Sequence, residues 1–270
     1  MEIEVKEKND NEMIFILNDA DVEFANAIRR IGMMEVPKIT IEYVNIIKND
    51  SSMFNEVLAH RLGLIPIVSD NEAIESLIPN EDCDCKDDEN NTNGYCSKCS
   101  VSFTLTKNTP GIVYSKDLHS NDPEIKSVYD TIPILKLKED QEVELEAVAI
   151  IGKGKEHAKW MPTTVCTYKQ YPVITFNDEK ELSNDVVEAC PNNILKLNKK
   201  NKKPTFQNIE NCTLCKACVR ASENDAIDVG HEKNKIIFKI ETDGSMTPKE
   251  VLLSACDVLN SKADKFIEFF

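Results

Sequence analysis

The stretch DADVEFANAIRRIGMMEVPKITIEYVNI, from Asp19 to Ile46, decides the fold class because its hydrophobic period changes once along its length. Phe24, Ala27, Ile28 and Ile31 fall at i, i+3, i+4 and i+7, the stripe of an amphipathic helix, with Asp19 or Asp21 available as N-cap and Pro37 beyond the end. Ile39, Ile41 and Tyr43 then alternate with Thr40, Glu42 and Val44, the period of a strand. Upstream, Ile3 and Val5 alternate with Glu2, Glu4 and Lys6, and the apolar run Met13 to Leu17 is bounded by Asn11 and Asn18, so a hairpin of two short strands precedes the helix. Strands and helices mixed in this order predict an α+β fold.

Working onward, Ser52 as N-cap, Phe54, Val57, Leu58 and Leu62 on one face, and Gly63 followed by Pro66 predict a second short helix. Residues Asp70 to Asn93 are acidic, Asn-rich and without apolar spacing, and read as a loop. Val101, Phe103 and Leu105 alternate with polar residues, as do Val143, Leu145, Ala147 and Ala149, giving half-buried strands of an antiparallel sheet. From Asp178 to Gly230 the composition shifts to Cys, Asn and Lys and marks a small inserted domain. Lys235 to Ile240 reads as a strand, and Thr247, Pro248, Lys249 and Glu250 form a capping box with Pro at the first helical position. The helix it opens carries Leu252, Ala255, Cys256, Leu259, Ala263, Phe266, Ile267 and Phe270 on one stripe. An end so apolar is expected to dock onto another polypeptide rather than onto the chain's own core.

The chain has 270 residues, with 32 basic and 47 acidic side chains and a net charge of −15. A chain of this length buries about three quarters of the surface its unfolded form exposes and needs no disulfide staples. The start, MEIEVKEKNDNEM, lacks the apolar core of a signal peptide, and no stretch is long and apolar enough to span a bilayer, so a cytoplasmic location is expected. The acidic balance excludes a primary nucleic-acid binder, since affinity for phosphates comes mainly from Lys and Arg. Ten cysteines in a reducing compartment then read as metal ligands before disulfides.

Cys212, Cys215 and Cys218 form C-x2-C-x2-C, and Cys190 precedes Pro191, the elements of a bacterial-type ferredoxin run. An offset of 32 residues aligns VVEACPNNIL, from Val186, with CVRASENDAI, from Cys218, pairing Val187 with Val219, Ala189 with Ala221, Asn192 with Asn224 and Leu195 with Ile227. In this degenerate duplication Lys180, Ser183, Val186 and Ser222 stand where one cluster's ligands would be, and Cys190, Cys212, Cys215 and Cys218 complete the other. A single [4Fe–4S] cluster is expected, with a zinc ion on the same thiolates as the competing reading. Cys83, Cys85, Cys96 and Cys99 give C-x-C-x10-C-x2-C, a closed four-sulfur set suited to structural zinc, against the alternative of a reduced, empty loop. Cys166, in a strand, and Cys256, on the last helix's stripe, read as core.

No catalytic centre emerges. Gly152, Lys153, Gly154 and Lys155 lack the phosphate-loop pattern and read as a basic surface loop; His60 with Arg61, and Arg29 with Arg30, lie on polar helix faces; Lys199, Lys200, Lys202 and Lys203 read as solvated loop.

Four separated segments carry a family resemblance in order: the opening stretch, FNEVLAHRLGLIPI from Phe54, GKGKEHAKWMP from Gly152 and IIFKIETDGSMTPKEVL from Ile236. Together they resemble the D-subunit family of archaeal DNA-directed RNA polymerase, with its bacterial alpha and eukaryotic third-subunit relatives, over nearly the whole chain. Some archaeal members carry a ferredoxin-like insert with a variable number of clusters. The resemblance implies a discontinuous alpha-subunit-like dimerisation domain (1–45, 147–170 and 230–270), an inserted, mainly antiparallel β domain (46–146) holding the zinc-type loop 83–99, and a ferredoxin-like insert (171–229). It also implies a non-catalytic assembly platform that pairs with the small L subunit, recruits the N and P subunits, docks the second-largest, catalytic B subunit, and meets DNA only through the complex. The helix of Arg29 and Arg30, the helix of His60 and Arg61, and the loop Gly152 to Trp160 resemble the family's contact surfaces. The competing reading is an iron–sulfur electron-transfer subunit of an oxidoreductase complex; a free-standing zinc protein acting on nucleic acid is disfavoured by the charge.

Overall fold

A computed structural model describes residues 1–86, 94–177, 179–198, 203–222 and 226–270. Lys199, Lys200 and Lys202 of the lysine run, and Asn224 of the internal repeat, lie outside the described residues. In chain order the elements are β1 (Glu2–Lys8), β2 (Glu12–Asn18), α1 (Val22–Met34), β3 (Pro37–Asn49), α2 (Asn55–Gly63), α3 (Asn71–Glu75), β4 (Ser100–Lys107), β5 (Gly111–Tyr114), β6 (His119–Ser120), β7 (Pro133–Leu137), β8 (Val143–Lys153), β9 (Thr163–Phe176), α4 (Asn184–Glu188), β10 (Leu195–Leu197), β11 (Pro204–Phe206), α5 (Ala217–Ala221), β12 (Ile227–Thr242) and α6 (Pro248–Ile267). Helices and antiparallel sheets are mixed, as the changing hydrophobic period requires. Two compact units result, one of residues 1–8, 14–27 and 167–239, the other of 9–13, 28–166 and 240–270.

In the first unit the sheet order is β1-β2-β12-β9. The outer strand β1 is exposed along its length, Ile3 and Val5 included, whereas Phe15 stacks on Phe238 with ring centroids 5.2 Å apart. Between β9 and β12 in the chain lies a small cysteine-rich body whose core comprises Leu182, Val186, Ile194, Leu195, Ala226, Ile227 and Val229 with Cys212 and Cys218. The expected strand Lys235–Ile240 is much longer, because β12 starts at Ile227, inside the segment read as insert.

The second unit is organised around a sheet of order β3-β8-β4-β6. Val101 lies opposite Ala149, Phe103 opposite Ala147 and Leu105 opposite Leu145, so the two apolar alternations face one core. Leu58 and Leu62 of α2 are buried in it, and Gly63 brings the helix end close enough that an added Cβ would lie 3.4 Å from the Ile41 carbonyl. The helix starts at Asn55 with Phe54 at the N-cap, not Ser52. The cause is Asn49, whose side chain accepts from the Ser51 backbone N–H and hydroxyl and donates to the Met53 carbonyl and to Asn55 Oδ1, folding residues 49–55 into a turn. Within the supposed loop after Asp70, the short helix α3 forms because Asp70 accepts from the Ala73 N–H at 2.9 Å and Ala73 is buried. On α1 the buried residues are Ala25, Ile28, Ile31 and Gly32, with Phe24 and Ala27 only half-buried. Gly32 faces Val251 and Cys166, with room for an added Cβ at 3.6–3.7 Å from them.

The loop of Gly152 and Gly154 is less of a surface feature than its composition suggests. A Cβ on Gly152 would lie 2.3 Å from the buried Trp160 ring, and one on Gly154 would lie 2.3 Å from the Met33 carbonyl, so both glycines are required by close approach. Lys155 donates its backbone N–H to Met34 O at 2.8 Å, and only residues 155–158 stand exposed.

A buried lysine that periodicity does not reveal holds this region together. Lys38, 3% exposed, donates from Nζ to the Lys159 carbonyl at 3.1 Å and the Met161 carbonyl at 3.4 Å, and pairs with Asp243. Asp243 in turn accepts from the Ser245 N–H and hydroxyl, and the Ser245 carbonyl accepts from Ser69 N–H at 2.9 Å. Removing one partner leaves a buried charge unpaired, so Asp243→Asn or Lys38→Met is expected to lower unfolding free energy by about 3–5 kcal/mol in denaturant titration. Glu124, exposed at the surface, is the natural comparison site, and Glu124→Gln is expected to cost far less.

Candidate metal centre

Cys83 and Cys85 sit on the polar segment after α3, and Cys96 and Cys99 on a tight turn entering β4. Cys99 N–H and Ser100 N–H both donate to the Cys96 carbonyl at 3.0 Å, while Cys96 N–H points at Cys99 Sγ at 3.4 Å. The segment is anchored by Ile78 N–H on the Lys98 carbonyl at 2.8 Å and by Tyr95 against Tyr43 of β3, ring centroids 4.7 Å apart. The four sulfurs lie within 4.8 Å of one another, with Cys83–Cys96 and Cys85–Cys99 at 3.6 Å and Cys96–Cys99 at 3.8 Å. A tetrahedral ion with metal–sulfur bonds of about 2.3 Å spaces its ligands by about 3.8 Å, so the set fits one metal ion. Burial raises the Cys85 and Cys99 thiols, whereas the Lys98 backbone N–H holds Cys96 down to about 7. Among the described residues this is the one group with three or more potential ligand atoms so close.

Cys190, Cys212, Cys215 and Cys218 are arranged differently. They line one small pocket, of about 20 Å³, with Ile174, Ile194 and Val229, but do not converge within single-ion distance. Four thiols set apart around a shared apolar wall have the donor chemistry of an iron–sulfur site. Leu214 and Lys216, on either side of Cys215, have φ of 57° and 56°. Left-handed backbone costs these residues about 1–2 kcal/mol each, and it turns the Ala217 N–H toward the Cys215 sulfur, which together with the Thr213 hydroxyl lowers that thiol. Burial, then the neighbouring Cys190 and Cys212, raise Cys218. Outside these sets, Cys166 is buried as expected and pushed up to about 12 by burial. Cys256, expected in the core, is exposed, because the helix turns Val251 and Ala255 inward instead.

Helix α6 opens with the expected capping box, Thr247 and Glu250 bonding reciprocally. Its first half packs on Ile31, Val36 and Met246, while its end and the residues just beyond it leave apolar side chains uncovered: Phe266 is 64%, Ile267 67%, Phe269 87% and Phe270 96% exposed. Arg30, His60 and Arg61 are exposed, and Arg29 is half-buried, its guanidinium on Met33 Sδ. Sequence reasoning missed Lys38, the Tyr43–Tyr95 pair and Lys169, which donates to the Cys212 carbonyl at 3.1 Å; each depends on a partner far along the chain.

The comparisons first define the class: the family described as "RNA polymerase Rpb3/RpoA insert domain" matches residues 44–173. The chain is 56% identical to DNA-directed RNA polymerase subunit Rpo3 of Methanobrevibacter smithii, across 100% of this chain and 98% of that protein. It is 54% identical to Rpo3 of Methanothermobacter thermautotrophicus over the same shares, and 34% identical to RNA polymerase II subunit rpb3 of Dictyostelium discoideum over 97% of this chain and 92% of the relative. The chain therefore belongs to the Rpo3/Rpb3 family of DNA-directed RNA polymerase subunits. No described helix is long and apolar enough to cross a membrane.

Replacing buried Cys99 by Ser removes one of four converging ligands. Metal analysis of the purified chain is expected to fall by about one ion, with limited proteolysis then cutting first between residues 83 and 99.

Proposed function

We propose that this chain is the non-catalytic assembly platform of a DNA-dependent RNA polymerase, pairing with the small L subunit, recruiting the N and P subunits and docking the second-largest, catalytic B subunit. The observation that supports this reading is the uncovered group of Phe266, Ile267, Phe269 and Phe270 at the end of a well-capped helix, in a member of the Rpo3/Rpb3 family. Contiguous exposed aromatic and aliphatic side chains mark an association surface. The dimerisation domain then comprises residues 1–45, 147–170 and 230–270, the inserted β domain 46–146, and a ferredoxin-like insert 171–229. Contacts to the larger subunits fall to the helix of Arg29 and Arg30, the helix of His60 and Arg61, and the tip of the 152–160 loop.

In this reading Cys83, Cys85, Cys96 and Cys99 hold a structural zinc ion, whose closed sulfur shell clamps the loop without offering a site for catalytic water. Cys190, Cys212, Cys215 and Cys218 hold one [4Fe–4S] cluster, which supplies folding free energy to a segment with a small core. The protein's own residues orient it: the left-handed Leu214 and Lys216 set the ligand loop, and Ile174, Ile194 and Val229 wall the pocket.

Phe266→Asp with Ile267→Asp is expected to abolish co-elution with the L subunit on size exclusion while shifting the melting temperature of the chain by only a few degrees, since both side chains touch little. Retained heterodimer would overturn the assignment of this face. Anaerobic metal analysis of the co-expressed pair is expected to give about four iron and about one zinc per chain. Iron near eight would refute the loss of one ligand set.

A further inference from the structure

Three carbonyls around the cysteine ligand loop, those of residues 210 to 212, are each held by a side chain. Lys169, half-buried on β9, donates from Nζ to the Glu210 carbonyl and, at 3.1 Å, to the Cys212 carbonyl. Between them, the Asn211 carbonyl accepts from Asn192 Nδ2 at 2.5 Å. The next ligand is treated alike, because Arg220 Nη1 donates to the Cys215 carbonyl at 3.0 Å. Two of the four cavity-lining cysteines thus carry a cationic side chain on their own peptide oxygen, one reaching in from the main sheet and one from α5. A separate tether, Lys6 Nζ to Glu210 Oε1 at 3.1 Å, holds the same turn without touching a ligand carbonyl.

Four thiolates around an iron–sulfur core concentrate negative charge, and adding an electron increases it. The net charge and hydrogen bonding around such a cluster set its reduction potential. A cation at the ligand peptide lowers the energy of the extra electron, more so when half-buried than when exposed to screening solvent. We infer that Lys169, with Arg220 as its weaker counterpart, is a positioning residue that fixes the ligand loop and raises the reduction potential of the group held by Cys190, Cys212, Cys215 and Cys218. The inference rests on the iron–sulfur reading of those four cysteines. Lys169 does not touch the iron; it acts through the Cys212 peptide.

The test is a potentiometric titration of the anaerobically purified full chain in complex with its small partner, followed by electron paramagnetic resonance. One electron from dithionite takes the cluster from [4Fe–4S]2+ to [4Fe–4S]1+. Lys169→Met is expected to weaken reduction by about three- to tenfold, a tenfold change being 59 mV for one electron. Arg220→Met is expected to move it the same way by less, and Lys169→Arg to restore the wild-type value. Lys6→Met, which loosens the same turn through Glu210 without removing a donor to a ligand carbonyl, is expected to lower the potential less than Lys169→Met. Equal iron content with an unchanged potential in Lys169→Met and Arg220→Met would overturn the inference alone. A wild-type chain carrying zinc and no iron at these cysteines would overturn the cluster reading and this inference with it. If Lys169→Met fails to accumulate, the exposed Arg220→Met decides: a fall in potential supports the inference, and no change overturns it.

Discussion

A lysine that cannot reach water dictates how the second unit is closed. With Lys38 buried at the start of β3, its ammonium must be neutralised and its protons accepted, and Asp243 with the carbonyls of Lys159 and Met161 meets that demand. These partners come from the loop after β8 and from the turn before α6, so one desolvated charge fixes three chain segments. Asp243 is itself saturated by Ser245, whose backbone reaches Ser69. Because α6 starts a few residues after Asp243, the helix that carries the exposed aromatic end takes its origin from this network. A hydrophobic replacement would lack the directionality that brings the three segments into register.

How much of this is legible in the sequence follows from which residues feel one environment at a time. β4 and β8 have one wet face and one dry face over their shared length, so their alternation appears directly in Val101, Phe103 and Leu105 against Leu145, Ala147 and Ala149. The first half of β3 is buried on both faces, so the apparent alternation of Ile39 and Ile41 with Thr40 hides that Lys38 and Thr40 are buried too. Helix starts fail where a side chain has two choices: Asn49 captures the turn that Ser52 was expected to organise. The Cys256 assignment failed because a broad apolar stripe on a long helix has two edges, and packing on Ile31 and Val36 selected the one with Val251 and Ala255. The exposed side chains near the end of α6 show in the sequence only as hydrophobicity that no core position explains.

The two cysteine sets separate by geometry in a way their spacings do not. Both number four, but one converges at 3.6–3.8 Å around a point while the other is set apart along a small pocket shared with Ile174, Ile194 and Val229. In the first, a knuckle turn and Tyr95 bring the sulfurs together; in the second, two left-handed residues hold the ligand loop open. The half of the cysteine-rich body that lacks ligands is packed with hydrocarbon instead, since Val186, at a position expected to bear a cysteine in a complete duplication, is buried beside Leu182 and Leu195.

The glycine cradle at 152–154 bears on the thermodynamics of association. Backbone pressed against the Trp160 ring and the Met33 carbonyl leaves the loop few alternative shapes, so the tip at residues 155–158 is presented as a fixed outline. A docking loop that is already ordered forfeits little conformational entropy when a neighbour seats on it. Two missing side chains, which look like flexibility when read as composition, act in the folded chain as the source of a fixed outline.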